Sequence, residues 1–397
     1  MINCQTAIIT LHLKPHKERR ILEGHRWVFA GEIKEDLKDL EPGVRVALCD
    51  SRGRLLGRGY ANPHSLITVR LLTRYDEPWD NDLIFRRIKG AFNYRGTFLP
   101  HRSTYRLIFS EGDGFPGLVV DRYEEHLIVQ SLTAGMDNLL PEVIEVLNHI
   151  VNPQSIYLKS RSPYRRLERL SEDCRAVKGS PPDVIPFQDG DVHFSSYPIR
   201  GQKTGFYLDQ AFNRQLLIPY VKGKRVLDLY AYTGAWGITA LVRGAREATM
   251  VESSQLAILW GMEDARANGV EQRAIFVEAD VEEFLQGEIQ RKGQYDIVIV
   301  DPPSLIPQRS ALKAGRKAYL AVNTQALKVV KPGGILVTCS CSHLLTRDDL
   351  LRIMGRASEL AHRQLRLLFF GSQPLDHPVL PGQPETEYLK ALFLAVE

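Results

Sequence analysis

The chain has 397 residues, 44% apolar and 25% charged, which is long enough for two or three domains with separate cores and unlike a disordered or fibrous composition. No apolar run approaches the roughly 18–20 residues of a membrane span, and the first charged residue is Lys14, so no basic leader is expected and the chain reads as cytoplasmic. The net charge of +4 does not by itself indicate nucleic acid, and five cysteines (Cys4, Cys49, Cys174, Cys339, Cys341) without a CxxC pair argue against a disulfide framework or a zinc site, leaving thiols and no metal.

Residues 1–74 carry short β-type runs at Ile8–Leu11, Val44–Leu48 and Leu66–Leu71, separated by the turn signals Pro42-Gly43, Ser51-Arg52-Gly53 and Asn62-Pro63. This is a small β-rich domain. A linker at Asp76–Pro78 leads into a second, α/β unit spanning 75–190. Its first helix is marked by Leu83, Ile84, Arg87, Ile88, Ala91 and Phe92, and strands follow at Leu118–Asp121 and Leu127–Gln130. A helix near Pro141–Val151 and a strand at Ser155–Leu158 complete it, the Pro-rich stretch Ser180–Pro186 marks its end, and a short hairpin around Gly190 leads into the third unit. Two basic clusters lie here: Arg86, Arg87, Lys89, Arg95, Arg102 and Arg106 with no acid among them, then Lys159, Arg161, Arg165, Arg166 and Arg169 interrupted only by Glu168. Either could be a solvated helix face, but their co-occurrence points to RNA phosphates.

From 191 to 397 buried strands alternate with helices: Arg225–Tyr230, Ala248–Glu252, Ala274–Glu278, Tyr295–Asp301 and Gly334–Cys339. Such spacing predicts a doubly wound, mostly parallel sheet with ligands beyond the carboxyl ends of its strands. The first strand runs through Asp228 into the loop Tyr230-Ala231-Tyr232-Thr233-Gly234-Ala235-Trp236-Gly237, and the second ends at Glu252, placed to accept ribose hydroxyls. The loop is not GxGxxG. A dinucleotide needs its pyrophosphate on a helix N-terminus, whereas S-adenosylmethionine has no phosphate and tolerates an acid such as Asp228 near its amine. Asp280 follows the third strand, where an adenine amino group could be read. Asp301-Pro302-Pro303 ends the fourth strand with a carboxylate on a backbone stiffened by proline. The fifth strand runs into Cys339-Ser340-Cys341-Ser342-His343. A thiol there suits attack on carbon 6 of a pyrimidine, which makes carbon 5 electron-rich; nitrogen methylation needs no thiol. Cys339, inside the strand run, is expected to be a packing residue and Cys341 the nucleophile.

With these motifs the chain resembles the S-adenosylmethionine-dependent ribosomal RNA large-subunit (23S) cytosine-5 methyltransferases that carry an N-terminal PUA domain. The resemblance covers nearly the whole chain: Gly24–Gly31, Tyr105–Ile108, Glu111–Arg122, Gly201–Gln210, Tyr232-Thr233-Gly234, Asp301-Pro302-Pro303, Ser340-Cys341-Ser342, Asp376-His377-Pro378 and Tyr388-Leu389-Lys390. It implies a PUA domain at 1–74, a central α/β domain at 75–190 and a Rossmann-like methyltransferase domain at 191–397. It further implies that Tyr230, Tyr232, Thr233, Gly234, Glu252, Asp280, Asp301 and Pro302 line the cofactor site, with Lys203, Tyr207 and Gln210 closing over it. Arg26, Arg86, Arg87, Lys159, Arg161, Arg165 and Arg166 are the residues expected on RNA. Two positions depart from the family pattern: Ser304 stands where Lys is common after Asp-Pro-Pro, and Ala211 where Arg follows Asp-Gln.

The implied reaction is transfer of a methyl group to carbon 5 of a cytosine flipped out of its RNA context, through a covalent Cys341 adduct, with Asp301 at the ring nitrogen. The competing expectations are an RNA N-methyltransferase using the Asp-Pro-Pro loop, indifferent to Cys341, and a non-catalytic RNA-binding assembly factor.

Overall fold

The computed structural model describes residues 8–397; Cys4 lies outside the described residues. The chain forms two compact units. One takes the described residues up to Ile185 with Ser196–Phe206 and Leu375–Thr386, the other Pro186–Ser195, Tyr207–Pro374 and Glu387–Glu397.

The first unit holds two sheets. Five strands order as Ile9–His12, Val44–Cys49, Leu55–Ala61, Ile67–Thr73 and Trp27–Phe29 around a core that includes Val46, Leu48, Val69 and Leu71. Two of these strands are absent from the sequence reading. Trp27–Phe29 has only three residues, too few to show alternation. Leu55–Ala61 carries Gly57 and Gly59, which break the β pattern, yet a Cβ on Gly59 would lie 2.1 Å from the Arg70 carbonyl oxygen, so the close approach of the paired strand demands glycine. The second sheet orders Asp173–Lys178, Ser155–Ser160, His126–Ser131, Leu118–Tyr123 and Tyr105–Phe109, packed by the helices Asn81–Phe98 and Ala134–Val151 over a separate core.

The second unit is the doubly wound sheet. Its elements are β1 (Arg225–Leu229), α1 (Ala235–Val242), β2 (Glu247–Glu252), α2 (Gln255–Ala267), β3 (Ala274–Glu278), α3 (Val281–Gln290), β4 (Tyr295–Val300), α4 (Leu312–Val329), β5 (Val330–Ser340), α5 (Arg347–Ala361), β6 (Leu365–Ser372) and β7 (Lys390–Val396). Strand order is β3-β2-β1-β4-β5-β7-β6, parallel from β3 to β5, with β7 antiparallel to both its neighbours. The five parallel strands match the sequence reading within two residues, apart from an earlier start for β5 at Val330. β6 and β7 were missed. Among the described residues no helix is long and apolar enough to cross a membrane.

A buried ionic network closes the first unit around its two late segments. Arg95, fully buried, donates to both carboxylate oxygens of Asp113 and, at 2.7 Å, to the Asp376 carbonyl. The Arg106 amide donates to the Asp376 carboxylate at 2.9 Å, while its guanidinium grips Asp121 at 2.7 and 2.9 Å. Thr204 donates to the same Asp121. Removing one member of a buried pair strands the other charge in low dielectric. Arg95→Met is therefore expected to cost about 3–5 kcal/mol of stability, read as a lowered urea midpoint; an unchanged midpoint would show that this network contributes nothing.

Candidate active site

Strand order reverses between β1 and β4, which opens a crevice beyond their carboxyl ends. The loop after β1 lines it and is conformationally costly. Tyr230 (φ 62°) and Tyr232 (φ 51°) both hold left-handed backbone, at about 1–2 kcal/mol each for residues with a Cβ. Gly234 (φ 78°) has a second reason to be glycine, since a Cβ would sit 2.6 Å from the Met250 sulfur. Glu252, at the end of β2, accepts from the amides of Tyr232 and Ser254, each at 2.9 Å, and so pins the loop.

Asp228 is fully buried beneath this loop. One carboxylate oxygen accepts the Gly237 amide at 3.1 Å; the other, like the buried Thr233 hydroxyl, has no partner among the described residues. Burial, then the nearby Asp301 and Glu252 carboxylates, pushes the Asp228 carboxyl up to about 8. The amide at the start of α1 that could cradle a phosphate is thus occupied by the protein's own carboxyl group. A cationic ligand bearing an ammonium group fits these orphaned acceptors.

Asp301 faces the same crevice with both oxygens engaged. The Gln210 amide nitrogen donates to each at 2.9 Å, the Trp236 indole to one at 3.1 Å, and Asn213 fixes the Gln210 oxygen at 2.7 Å. The two cysteines after it differ as the sequence suggests. Cys339 is fully buried, and burial beside Asp301 raises its thiol well above the usual range, so it stays protonated. Cys341 is half-buried, in a loop braced by the serines on either side. Tyr319 donates to Ser340 at 2.9 Å, and Ser342 contacts the Ser304 hydroxyl at 3.1 Å and accepts the Ile306 amide at 3.3 Å. Ser304, the first departure, is therefore joined to the thiol loop. Ala211, the second, is buried at the start of the helix Ala211–Leu217.

Lys390 is the residue to which sequence reasoning gave no role. Its ammonium is buried, donates to the carbonyls of Ser342 at 2.7 Å and Tyr388 at 2.8 Å, and lies within electrostatic reach of Cys341. Burial pulls its value down to about 8. The signal was present in Tyr388-Leu389-Lys390, but a lysine in an apolar strand gives no hint of its neighbour. Tyr207 also lies within reach of Cys341, Asp301 and Glu252, and packs edge-on against Tyr232 at 5.3 Å.

Residues 155–392 match the S-adenosylmethionine-dependent methyltransferase family, and residues 11–74 match the PUA-like domain. Ribosomal RNA large subunit methyltransferase I of Tolumonas auensis is 34% identical over 391 residues, 97% of this chain and 98% of that protein. The protein of the same name from Photobacterium profundum is 34% identical over 396 residues, covering 98% and 99%. The chain belongs to this family of S-adenosylmethionine-dependent methyltransferases. The crystal structure of SMU.776, a methyltransferase complexed with SAH, shares the fold, with a TM-score of 0.86 at 19% identity over 98% of this chain and all of that one.

For this methyltransferase the fold also sorts the other expected site residues. Asp280 is exposed and caps α3 by accepting the Glu282 amide at 2.8 Å, Tyr230 is half-buried and Pro302 buried. Lys203 is exposed in the segment Ser196–Phe206 of the first unit, whereas Tyr207 and Gln210 belong to the second. Several expected RNA contacts are spent inside the fold. Arg165 is buried, chelates Asp137 at 2.8 Å with both nitrogens and donates to the Ser131 and Ser171 carbonyls. Lys159 is buried on the Gly201 carbonyl at 2.6 Å. Arg26 and Arg87 both donate to the Leu72 carbonyl, and Arg87 also to that of Gly114. Arg86 pairs with Glu77 and Asp82, and Arg161 with Glu172, both at the surface. Arg166 is exposed.

The two-thiol contrast gives a direct test. Iodoacetamide labelling at pH 7.5 with peptide mapping is expected to modify Cys341 and spare Cys339. Lys390→Met is expected to slow Cys341 alkylation about tenfold and move its pH midpoint upward, because the neighbouring cation favours thiolate. An unchanged pH profile would mean that the ammonium does not act on this thiol.

Proposed function

We propose that this enzyme methylates carbon 5 of a cytosine in large-subunit ribosomal RNA, with Cys341 as nucleophile. The observation that carries the reading is the pairing of a half-buried thiol, held beside a buried ammonium, with a carboxylate fixed by Gln210 and Trp236. A nitrogen methyltransferase has no use for the first of these. The substrate is supported by relatives named for ribosomal RNA and by the PUA-like match at 11–74. In this partition residues 1–74 grip structured RNA, 75–190 frame it and 191–397 perform the transfer, in the cytoplasm where such RNA is assembled.

Cys341 adds to carbon 6 of the ring, forming a sulfur–carbon bond, and the displaced electron pair moves onto the ring nitrogen, which takes a proton from water and donates it in a hydrogen bond to the Asp301 carboxylate. S-adenosylmethionine supplies an electrophilic methyl group for carbon 5. A water acting as base takes the carbon 5 proton, its bonding pair expels the sulfur, and the ring nitrogen gives up its proton, restoring the aromatic ring and the thiolate. The neighbouring ammonium of Lys390 favours the thiolate over the thiol at Cys341. Asp228 and Thr233 meet the polar groups of the methyl donor's amino-acid end, Glu252 its ribose, and Tyr207 with Gln210 shield the crevice.

Methyl transfer from labelled S-adenosylmethionine to unmodified large-subunit RNA, with nucleoside analysis, tests the reaction. We expect 5-methylcytosine from wild type and Cys339→Ala, and a loss of at least about 10³-fold for Cys341→Ala. Label on a nitrogen, or an active Cys341→Ala, would overturn the thiol mechanism in favour of N-methylation.

The donor site has its own pH signature. Ligand-free Asp228 stays protonated up to about pH 8, and pairing with an ammonium requires its anion. Binding therefore releases a proton below that pH, and affinity is expected to rise with pH, by at most about tenfold per unit, until the ligand's α-ammonium begins to lose its own proton at about 7.7–8.0. Calorimetry in two buffers of different ionisation enthalpy measures the release, which Asp228→Asn should abolish.

A further inference from the structure

Helices α4 and α5 form a basic groove that the reaction above does not use. Arg316 and Lys317 on α4 face Arg352 and Arg356 on α5 across an open cavity of about 330 Å³. Asp349 is the only carboxylate among its lining residues. It is already committed, closing the capping box with Thr346 at the start of α5 and holding Arg316 at 2.8 Å. All four cations are exposed, Arg352 with 80% of its side chain, and among the described residues neither Lys317 nor Arg356 has a carboxylate partner.

Such a cluster works against the helices that bear it. Arg352 and Arg356 are four residues apart, where like charges repel, and Gly355 between them is an exposed glycine with open space around it and no packing reason for lacking a side chain. Asp349, 2.8 Å from Arg316 and 3.9 Å from Arg352, is shared between two of the four cations, so the groove keeps a net positive charge. The arrangement suits an anionic chain that approaches the helix closely, and guanidinium forks match phosphate oxygens.

Topology fixes where the groove lies. α4 follows the Asp301 loop of β4 and α5 follows the Cys341 loop of β5, so both helices start at the site's edge of the sheet. Arg316 and Arg352 are only four and five residues into their helices, about 6–8 Å along the axis. We propose that this groove binds backbone phosphates of the substrate RNA flanking the base held in the site. The proposal rests on the RNA reading of the function, and makes the methyltransferase unit itself part of the RNA footprint.

The test uses the full chain and an unmodified large-subunit ribosomal RNA fragment, with binding measured against salt concentration for wild type, Arg352→Gln/Arg356→Gln and Arg352→Glu/Arg356→Glu. S-adenosylmethionine affinity and melting temperature, measured in parallel, verify that the variants fold. We expect at least about tenfold weaker RNA binding for the double Gln variant, a further loss for the Glu pair, and a log–log salt slope shallower by about 1.5. Variants that match a wild type which binds RNA would overturn the groove alone. A wild type that binds no RNA would overturn both the groove and the substrate reading. If instead the variants kept RNA affinity but lost binding to an acidic polypeptide such as polyglutamate, the groove would be a protein-docking surface and the proposal would fall.

Discussion

The carboxylate of Asp301 is the fixed point of this site. It ends β4 where the strand order turns back, and three N–H bonds from Gln210 and Trp236 leave it no rotational freedom. Each donor comes from a different part of the chain, so one carboxylate ties the approach to the helix Ala211–Leu217, the start of α1 and the end of β4 into a single geometry. Pro302 and Pro303 then carry the chain away without an amide to compete for it. The same negative charge helps keep Cys339 protonated, while the buried ammonium of Lys390 acts in the opposite sense on Cys341.

Much of this was legible in the sequence because parallel strands buried on both faces read as unbroken apolar runs. Ile297–Val300 and Leu336–Val337 are fully or nearly fully enclosed, and the polar residues that follow such runs fall at the open edge of the sheet. Glu252, Asp301 and Cys341 were singled out by that rule, whereas Asp228 lies inside its strand. It fails where strands are interrupted or half exposed. Gly57 and Gly59 disguise one strand, and β6, at the sheet edge, leaves Leu367, Leu368 and Phe370 partly exposed, an arrangement without clear alternation.

Charge was the least legible feature, for a physical reason. A run of arginines reports how many cations a segment carries, not what neutralises them. Arg95, Arg106 and Arg165 stand in apparently unopposed basic runs, yet their acids are Asp113, Asp121 and Asp137, the first two brought near by sheet pairing and loop packing. The groove between α4 and α5 was missed as well: Arg316 and Lys317 stand in a run that holds no acid from Pro302 to Arg347, but Arg352 and Arg356 come from a second helix, and the four cations concentrate only when the helices pack. Lys390 escaped for a related reason, since its surroundings are created by β5 and β7 pairing Ser340 with it.

The chain passes between its two units at 185/186, 195/196, 206/207, 374/375 and 386/387. Tyr207 to Gln210 begin directly after one anchored segment, and Tyr388 to Lys390 almost directly after the other. No single scission between 186 and 386 leaves each unit with all of its own polypeptide. The described residues form separate hydrophobic cores, but in fragmentation and in recombination with other chains the protein is indivisible: a crossover that exchanged the methyltransferase sheet would also have to bring along the two threads sewn into its neighbour.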